Sequence, residues 1–216
     1  MRSKDKTKRM RAALDEDFAS SELSLLWRPR SVGSYHIRFL PDGADPDGPI
    51  FWFKTYVHYN LPGTRRGFLC PRLTFGDECP ICERVAVLRR SQDRADQEIA
   101  EGWTARVKYV ANVLVIKSPT ENDADKTRVR IWANIPRSIM SQIRDLLSVE
   151  DEEGNEIYDA FHDWEYGSLM HLSRTGDSWT ETRYSITPVK AYPLDREAFV
   201  DKIFNLEEYA LSLIHI

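Results

Sequence analysis

The stretch HYNLPGTRRGFLCPRLTFGDECPIC (58–82) holds every cysteine of the chain and opens on a histidine. Its spacing is His-x11-Cys-x8-Cys-x2-Cys, through His58, Cys70, Cys79 and Cys82. A Cys-x2-Cys turn lets two thiolates reach one ion, and a further Cys and His complete the four ligands that tetrahedral Zn2+ takes. Pro80 sits inside that turn, and Gly76 and Asp77 just ahead of it suit a bent knuckle. The stretch predicts a zinc-stapled subdomain over about 58–100, with one structural Zn2+. Four protein ligands leave no position for an activated water, and His58 is followed by Tyr59 and Asn60, unlike the His-x-Glu of zinc deaminases. No catalysis is expected.

Working outward, strands flank this insert. Period-2 alternation from Gly33 to Pro41 sets Tyr35, Ile37 and Phe39 against His36, Arg38 and Leu40. In IFWFKTYVHY (50–59), Phe51, Phe53, Thr55 and Val57 read as core, and Trp52, Lys54, Tyr56 and His58 take the other face. Flat rings beside a cation suit a single-strand groove, where bases stack and cations follow phosphates. No acid lies between Gly48 and Gly76, whereas Lys54, Arg65, Arg66 and Arg72 do. That predicts a local positive field inside a chain of net charge −4.

CERVAVLRRSQDRADQEIAEG (82–102) reads as one helix closing the subdomain. WTARVKYVANVLVIKSP (103–119) reads as the longest strand, with Arg106 and Lys108 on the face opposite Tyr109. TENDAD (120–125) is a polar loop, and KTRVRIW (126–132) alternates Lys126, Arg128, Arg130 and Trp132 against Thr127, Val129 and Ile131. IPRSIMSQIRDLL (135–147) has the apolar spacing of a core-packing helix, and EDEEGNE (150–156) reads as a solvent-exposed acidic turn. A hairpin is expected over 168–188, carrying Trp179 and Tyr184, and a last amphipathic helix over 195–211. Residues 1–11 carry six basic side chains and one acid, and 12–26 suit a short helix leading to the core.

With 216 residues, 42% hydrophobic and 30% charged, the chain has the composition of a soluble globular protein with one substantial core. No apolar run approaches the ~20 residues that span a bilayer, so no membrane partner is expected. The basic N-terminus lacks the apolar stretch of a secretory signal.

The metal-spaced insert lies between IRFLP (37–41) and YVANVLVIKSP (109–119). This arrangement resembles the single-stranded DNA-binding (helix-destabilising) protein of T-even-type phages. The resemblance includes the aromatic-x-Ala-Asn-hydrophobic-Leu-Val-hydrophobic-Lys-x-Pro strand. It runs from about residue 25 to about 190, with the two longer gaps of the zinc spacing each one residue shorter. It implies a mainly β fold with peripheral helices, an OB-fold five-stranded barrel carrying a Cys3His zinc subdomain. It also implies cooperative binding of single-stranded DNA in phage replication, recombination and repair, in the cytoplasm of the infected bacterial host. Self-association along the strand falls to a basic N-terminal arm (1–22), ahead of a core spanning 23–210. In that family an acidic C-terminal tail recruits replication and recombination proteins. Here residues 211–216 (LSLIHI) match the translation of a sequencing-library adapter, so a non-native end and a missing tail are expected. Sequencing the parent genome past Tyr209 tests that.

The DNA-binding set expected from these readings is Arg38, Trp52, Lys54, Tyr56, Arg66, Arg106, Lys108, Arg128, Arg130 and Trp132, with Tyr109 added on the resemblance alone. The alternative is a zinc-stapled protein-interaction module that binds no nucleic acid, its basic faces being ordinary solvated surface.

Overall fold

The computed structural model describes residues 25–64, 66–120, 125–150, 153, 161–178 and 180–212. The arm over 1–22, the helix expected over 12–26 save its last two residues (a turn at Leu25 and the start of a strand at Leu26), most of the acidic turn, Trp179 and residues 213–216 lie outside them.

The strands are β1 (Leu26–Trp27), β2 (Gly33–Leu40), β3 (Trp52–His58), β4 (Phe68–Leu69), β5 (Arg106–Lys117), β6 (Asp125–Ile135), β7 (Ser168–Thr175) and β8 (Arg183–Ala191). Three helices, α1 (Pro71–Phe75), α2 (Pro80–Arg89) and α3 (Arg94–Trp103), stand between β4 and β5. Helix α4 (Arg137–Leu147) follows β6, and α5 (Arg196–Phe199), a 3-10 turn (Val200–Lys202) and α6 (Leu206–Ser212) follow β8. The fold is mainly β with a few helices.

The strands form one eight-stranded sheet in the order β1-β6-β5-β2-β7-β8, with β3 also on β5 and β4 on β3. β5 makes this branching possible. Its first half (Arg106–Ala111) pairs with β3 and its second half (Asn112–Lys117) with β2, while β6 takes the other edge. The closure that a five-stranded barrel requires is absent from the described pairings, because the end strands β1 and β8 do not meet.

Both faces of this sheet are covered in part. On one, Ile139 and Ile143 of α4 pack with Tyr35, Ile37, Phe39, Val113 and Trp132. Each such buried aliphatic side chain stabilises the fold by roughly 1.5–3 kcal/mol. On the other, Leu40, Leu114, Val129 and Trp164 form one cluster and Val110, Ile131 and Leu206 another.

Two expected helices are broken. The residues over 82–102 form α2 and α3, because Asp93 caps a fresh start by accepting from Ala95 N–H (2.9 Å). The C-terminal segment breaks at 203–205, where Asn205 caps α6 by accepting from Glu207 N–H (3.1 Å). The break frees the Phe204 backbone to bond the buried side chain of Asn112.

Candidate metal centre and nucleic-acid interface

His58 closes β3, and β4 returns beside it, pairing Phe68 with His58 and Leu69 with Val57. Cys70 follows β4 at the N-cap of α1, its Sγ accepting from Leu73 N–H (3.4 Å), and Cys79 is the N-cap of α2. Each helix starts with a proline, which needs no amide partner there. Gly76, at φ +92°, ends α1 in a left-handed turn that brings the chain round to Cys79. Cys82 lies one turn further along α2.

The four donor atoms lie within 4.8 Å of one another. His58 Nε2 is 3.5 Å from Cys79 Sγ and 3.6 Å from Cys82 Sγ, and Cys70 Sγ is 3.4 Å from Cys82 Sγ. A tetrahedral ion with Zn–S of about 2.3 Å and Zn–N of about 2.05 Å separates S from N by about 3.5 Å and S from S by about 3.8 Å. The donor set fits such an ion. The other imidazole nitrogen, Nδ1, is 2.7 Å from the Trp103 carbonyl, a bond that leaves Nε2 for the metal. Burial, then the neighbouring Cys70 thiol, pushes the metal-free Cys82 thiol up to about 12, and burial also raises Cys70. Without an ion these thiols stay protonated at neutral pH. The cluster of Val85, Leu88 and Ala100, with Ile81 and Trp103 against it, is too small to hold α2 and α3 alone. The ion would tie α1 and α2 to the end of β3.

The expected DNA-binding residues fall into three groups. The first shares one face of the β3–β5 pair. Lys54 stands directly opposite Tyr109 and Trp52 opposite Ala111, with Tyr56 next along β3. The Lys54 ammonium lies 5.2 Å from the centroid of the Tyr56 ring. The Tyr56 hydroxyl, then charge coupling to Tyr56 and Tyr109, holds Lys54 above the ordinary lysine range. Lys54 is exposed, and all three rings are half-buried, each with a surface left open.

The second group lies on the opposite face of the same strands. Lys108 pairs with Thr55 and Arg106 with Val57. The Lys108 ammonium is 5.9 Å from the Tyr59 ring, and burial, then Arg106, lowers its pKa. Tyr59 completes this group and was missing from the expected set. Its position in the acid-free aromatic stretch was the available signal. Arg66 is exposed on the β3–β4 connection, and Arg128 and Arg130 are half-buried on β6, where Arg130 pairs with Val113 on the Tyr109 side of β5. Arg130 Nε is buried with no hydrogen-bond partner in the described chain.

The third group is a correction. Arg38 and Trp132 are 0% and 1% exposed. Arg38 donates to the carbonyls of Phe39, Phe161, Asp163 and Tyr192, so its guanidinium is spent on the 161–167 segment. Trp132 packs edge-on against Trp27 (5.3 Å between centroids) and parallel to Phe39 (6.3 Å). Neither can meet a strand in solution. Alternation predicted which way each points, but not that chain distant in sequence would cover it.

A family model described as gp32 DNA binding protein like matches residues 32–214, well over half of the chain. The chain belongs to this family. The match spans both the metal centre and the Lys54–Tyr109 face, and gp32-like membership supports single-stranded DNA as a ligand of the chain. No curated protein matches the chain. Among the described residues, no helix of this gp32-like chain is long and apolar enough to cross a membrane.

Proposed function

We propose that the chain binds single-stranded DNA with little sequence preference, through bases stacked on Trp52, Tyr56 and Tyr109 and phosphates paired with Lys54, while Arg106 and Lys108 on the reverse face of the same strands add to the positive field. The observation that carries this reading is the direct pairing of Lys54 with Tyr109 beside Tyr56, on two strands that contain no carboxylate. Stacking contributes roughly 1–3 kcal/mol per base, so three rings suffice for useful affinity. Arg66, Arg128 and Arg130 extend the cationic set.

The metal is proposed to be one zinc with a structural role. It ties the end of β3 to α1 and α2, and four protein donors leave no coordination position for a reacting water. Family membership is the support for an OB-type core, for work in phage DNA replication, recombination and repair, and for the host cytoplasm as its site. Self-association along the strand through the arm over 1–22 rests on its basic composition and on the resemblance. One observation favours the alternative of a protein-docking module: Phe68, Leu73, Val87 and Ile99 are exposed apolar residues on the metal subdomain.

A tryptophan-fluorescence titration with oligo(dT) and with duplex DNA, repeated across salt, separates the two. Quenching by the single strand that weakens steeply with salt is expected. Zinc-loaded protein that neither DNA quenches would overturn the reading in favour of the docking module.

A further inference from the structure

The part of the sheet formed by β2, β7 and β8 is covered on one face; on the other, Arg38 and Leu40 lie under the 161–167 segment, and the end that carries His36 and His171 is left bare among the described residues. α4 covers the first, where Ile139 and Ile143 meet Ile37, Met170, Leu172 and Ile186, and Gln142 Oε1 accepts from Ile186 N–H (3.0 Å). On the bare face His36 stands opposite His171, His171 opposite Thr187, and Ser173 opposite Ser185. Lys117, at the end of β5, pairs with His36. His36, His171 and Ser173 are half-buried, and Lys117, Ser185 and Thr187 are exposed.

Every charge that bears on His36 there is positive or becomes so on protonation. The two imidazoles meet edge to face, 5.7 Å between centroids. Lys117 from β5 and Lys190 from β8 add their fields, after burial and His171, to hold the His36 pKa below its ordinary value. β2, β5, β7 and β8 contain no Asp or Glu among them. A sheet end that presents amines, imidazoles and hydroxyls, on strands without a carboxylate, is complementary to an anion. Lysine ammonium and serine or threonine hydroxyl groups are the usual partners of phosphodiester oxygens.

We propose that this bare face is a second tract for the phosphodiester backbone of single-stranded DNA, with Lys117, Lys190, His36 and His171 as cationic contacts and Ser173 and Thr187 as hydroxyl donors. The proposal rests on the reading of the chain as a single-strand binder. It adds a site nine residues of β5 beyond Lys108, roughly 30 Å away at ~3.3 Å per residue. The tract lies on the side of the sheet that carries Arg106 and Lys108, so a short oligonucleotide fills the Lys54–Tyr109 face alone, and a long one must pass the sheet edge to reach both. Bound phosphate favours the imidazolium forms, so this contact tightens as pH falls from 8 towards 6.

The test is an NMR titration of the imidazole signals in the zinc-loaded full chain between pH 5.5 and 8, with tryptophan fluorescence followed in parallel. H36Q and H171Q assign the signals, and a long oligo(dT) is the probe. Both signals are expected to shift and their pKa values to rise. K117Q/K190Q should remove that response and lower the salt slope for the long oligonucleotide by about 1.4, two phosphates at ~0.7 each, while a short one still quenches tryptophan. Quenching without any imidazole response would overturn the second tract and leave the first face standing. Neither response would overturn both. Imidazole signals that respond to poly-glutamate but not to oligo(dT) would assign the face to an acidic protein segment and refute the phosphate reading.

Discussion

The Asn112 side chain bonds Phe204 in both directions: its Nδ2–H donates to the Phe204 carbonyl (2.8 Å) and its Oδ1 accepts from Phe204 N–H (3.2 Å). A second Nδ2–H donates to the Pro41 carbonyl (2.9 Å). Asn112 is fully buried in the middle of β5, so this one amide joins β5, the end of β2 and the entry to α6. Replacing it with alanine strands three backbone groups, each costing about 1–3 kcal/mol when buried and unpaired. Asn112→Ala is expected to lose at least ~2 kcal/mol in chemical denaturation, and a loss under ~0.5 kcal/mol would show the latch to be dispensable.

Arg38 is held by four carbonyl oxygens, and burial lowers its pKa to about 10, an effect that Asp163 partly offsets. Gly167 admits it, since a Cβ there would overlap the guanidinium. Arg38→Ala leaves these carbonyls without their donor and should cost at least about 2 kcal/mol, since each buried polar group left unpaired costs about 1–3 kcal/mol. Affinity for oligo(dT), measured on the folded fraction, should not change. A large loss of affinity at unchanged stability would return Arg38 to the DNA-binding set.

His162 sits beside Arg38 with its Nε2 3.0 Å from the Gly48 carbonyl. Burial, with a smaller contribution from Arg38, lowers its pKa below the unfolded value. The stability it confers is therefore present above pH ~6.5 and lost as pH falls through the lower folded pKa. Thermal melting between pH 7 and 4.5 should show less acid sensitivity in His162→Gln than in the natural chain. An identical pH profile would remove His162 from that account.

Metal loading must displace protons from the thiols of Cys70 and Cys82, whose pKa values desolvation raises. Zinc added to metal-free protein at pH 7 should release protons, read by calorimetry in buffers of different ionisation enthalpy. Cys79→Ala should lower the melting temperature and weaken oligo(dT) binding together, because β3 carries both His58 and Lys54. Unchanged melting in that variant would exclude a structural role for the ion.

On the Lys54–Tyr109 face, Tyr109→Ala should cost one stacking contact, roughly 1–3 kcal/mol, or about 5- to 150-fold in affinity. Lys54→Gln should reduce the salt slope by about 0.7 and leave the tryptophan quenching amplitude in place. Trp132→Phe should lower stability and spare affinity, since that ring lies in the core. Equal affinity losses in Tyr109→Ala and Trp132→Phe would indicate that folding, not stacking, is being measured.

The chain's local rules were legible without coordinates. Ligand spacing selected His58, Cys70, Cys79 and Cys82, and the structure gathers those four donors within reach of one ion. Alternation set Tyr109 opposite Arg106 and Lys108, as the register confirms. Both signals are local, because a turn or a strand fixes which way a side chain points within a few residues. What a side chain meets is not local. Arg38 and Trp132 look like their exposed neighbours in period, yet residues 161–167, Tyr192 and the packing of Trp27 enclose them. The expected C-terminal helix breaks at Phe204 to satisfy Asn112, a residue 92 positions away. Burial of a polar group without a partner costs more than a helical turn contributes, and only the tertiary structure shows where that choice falls.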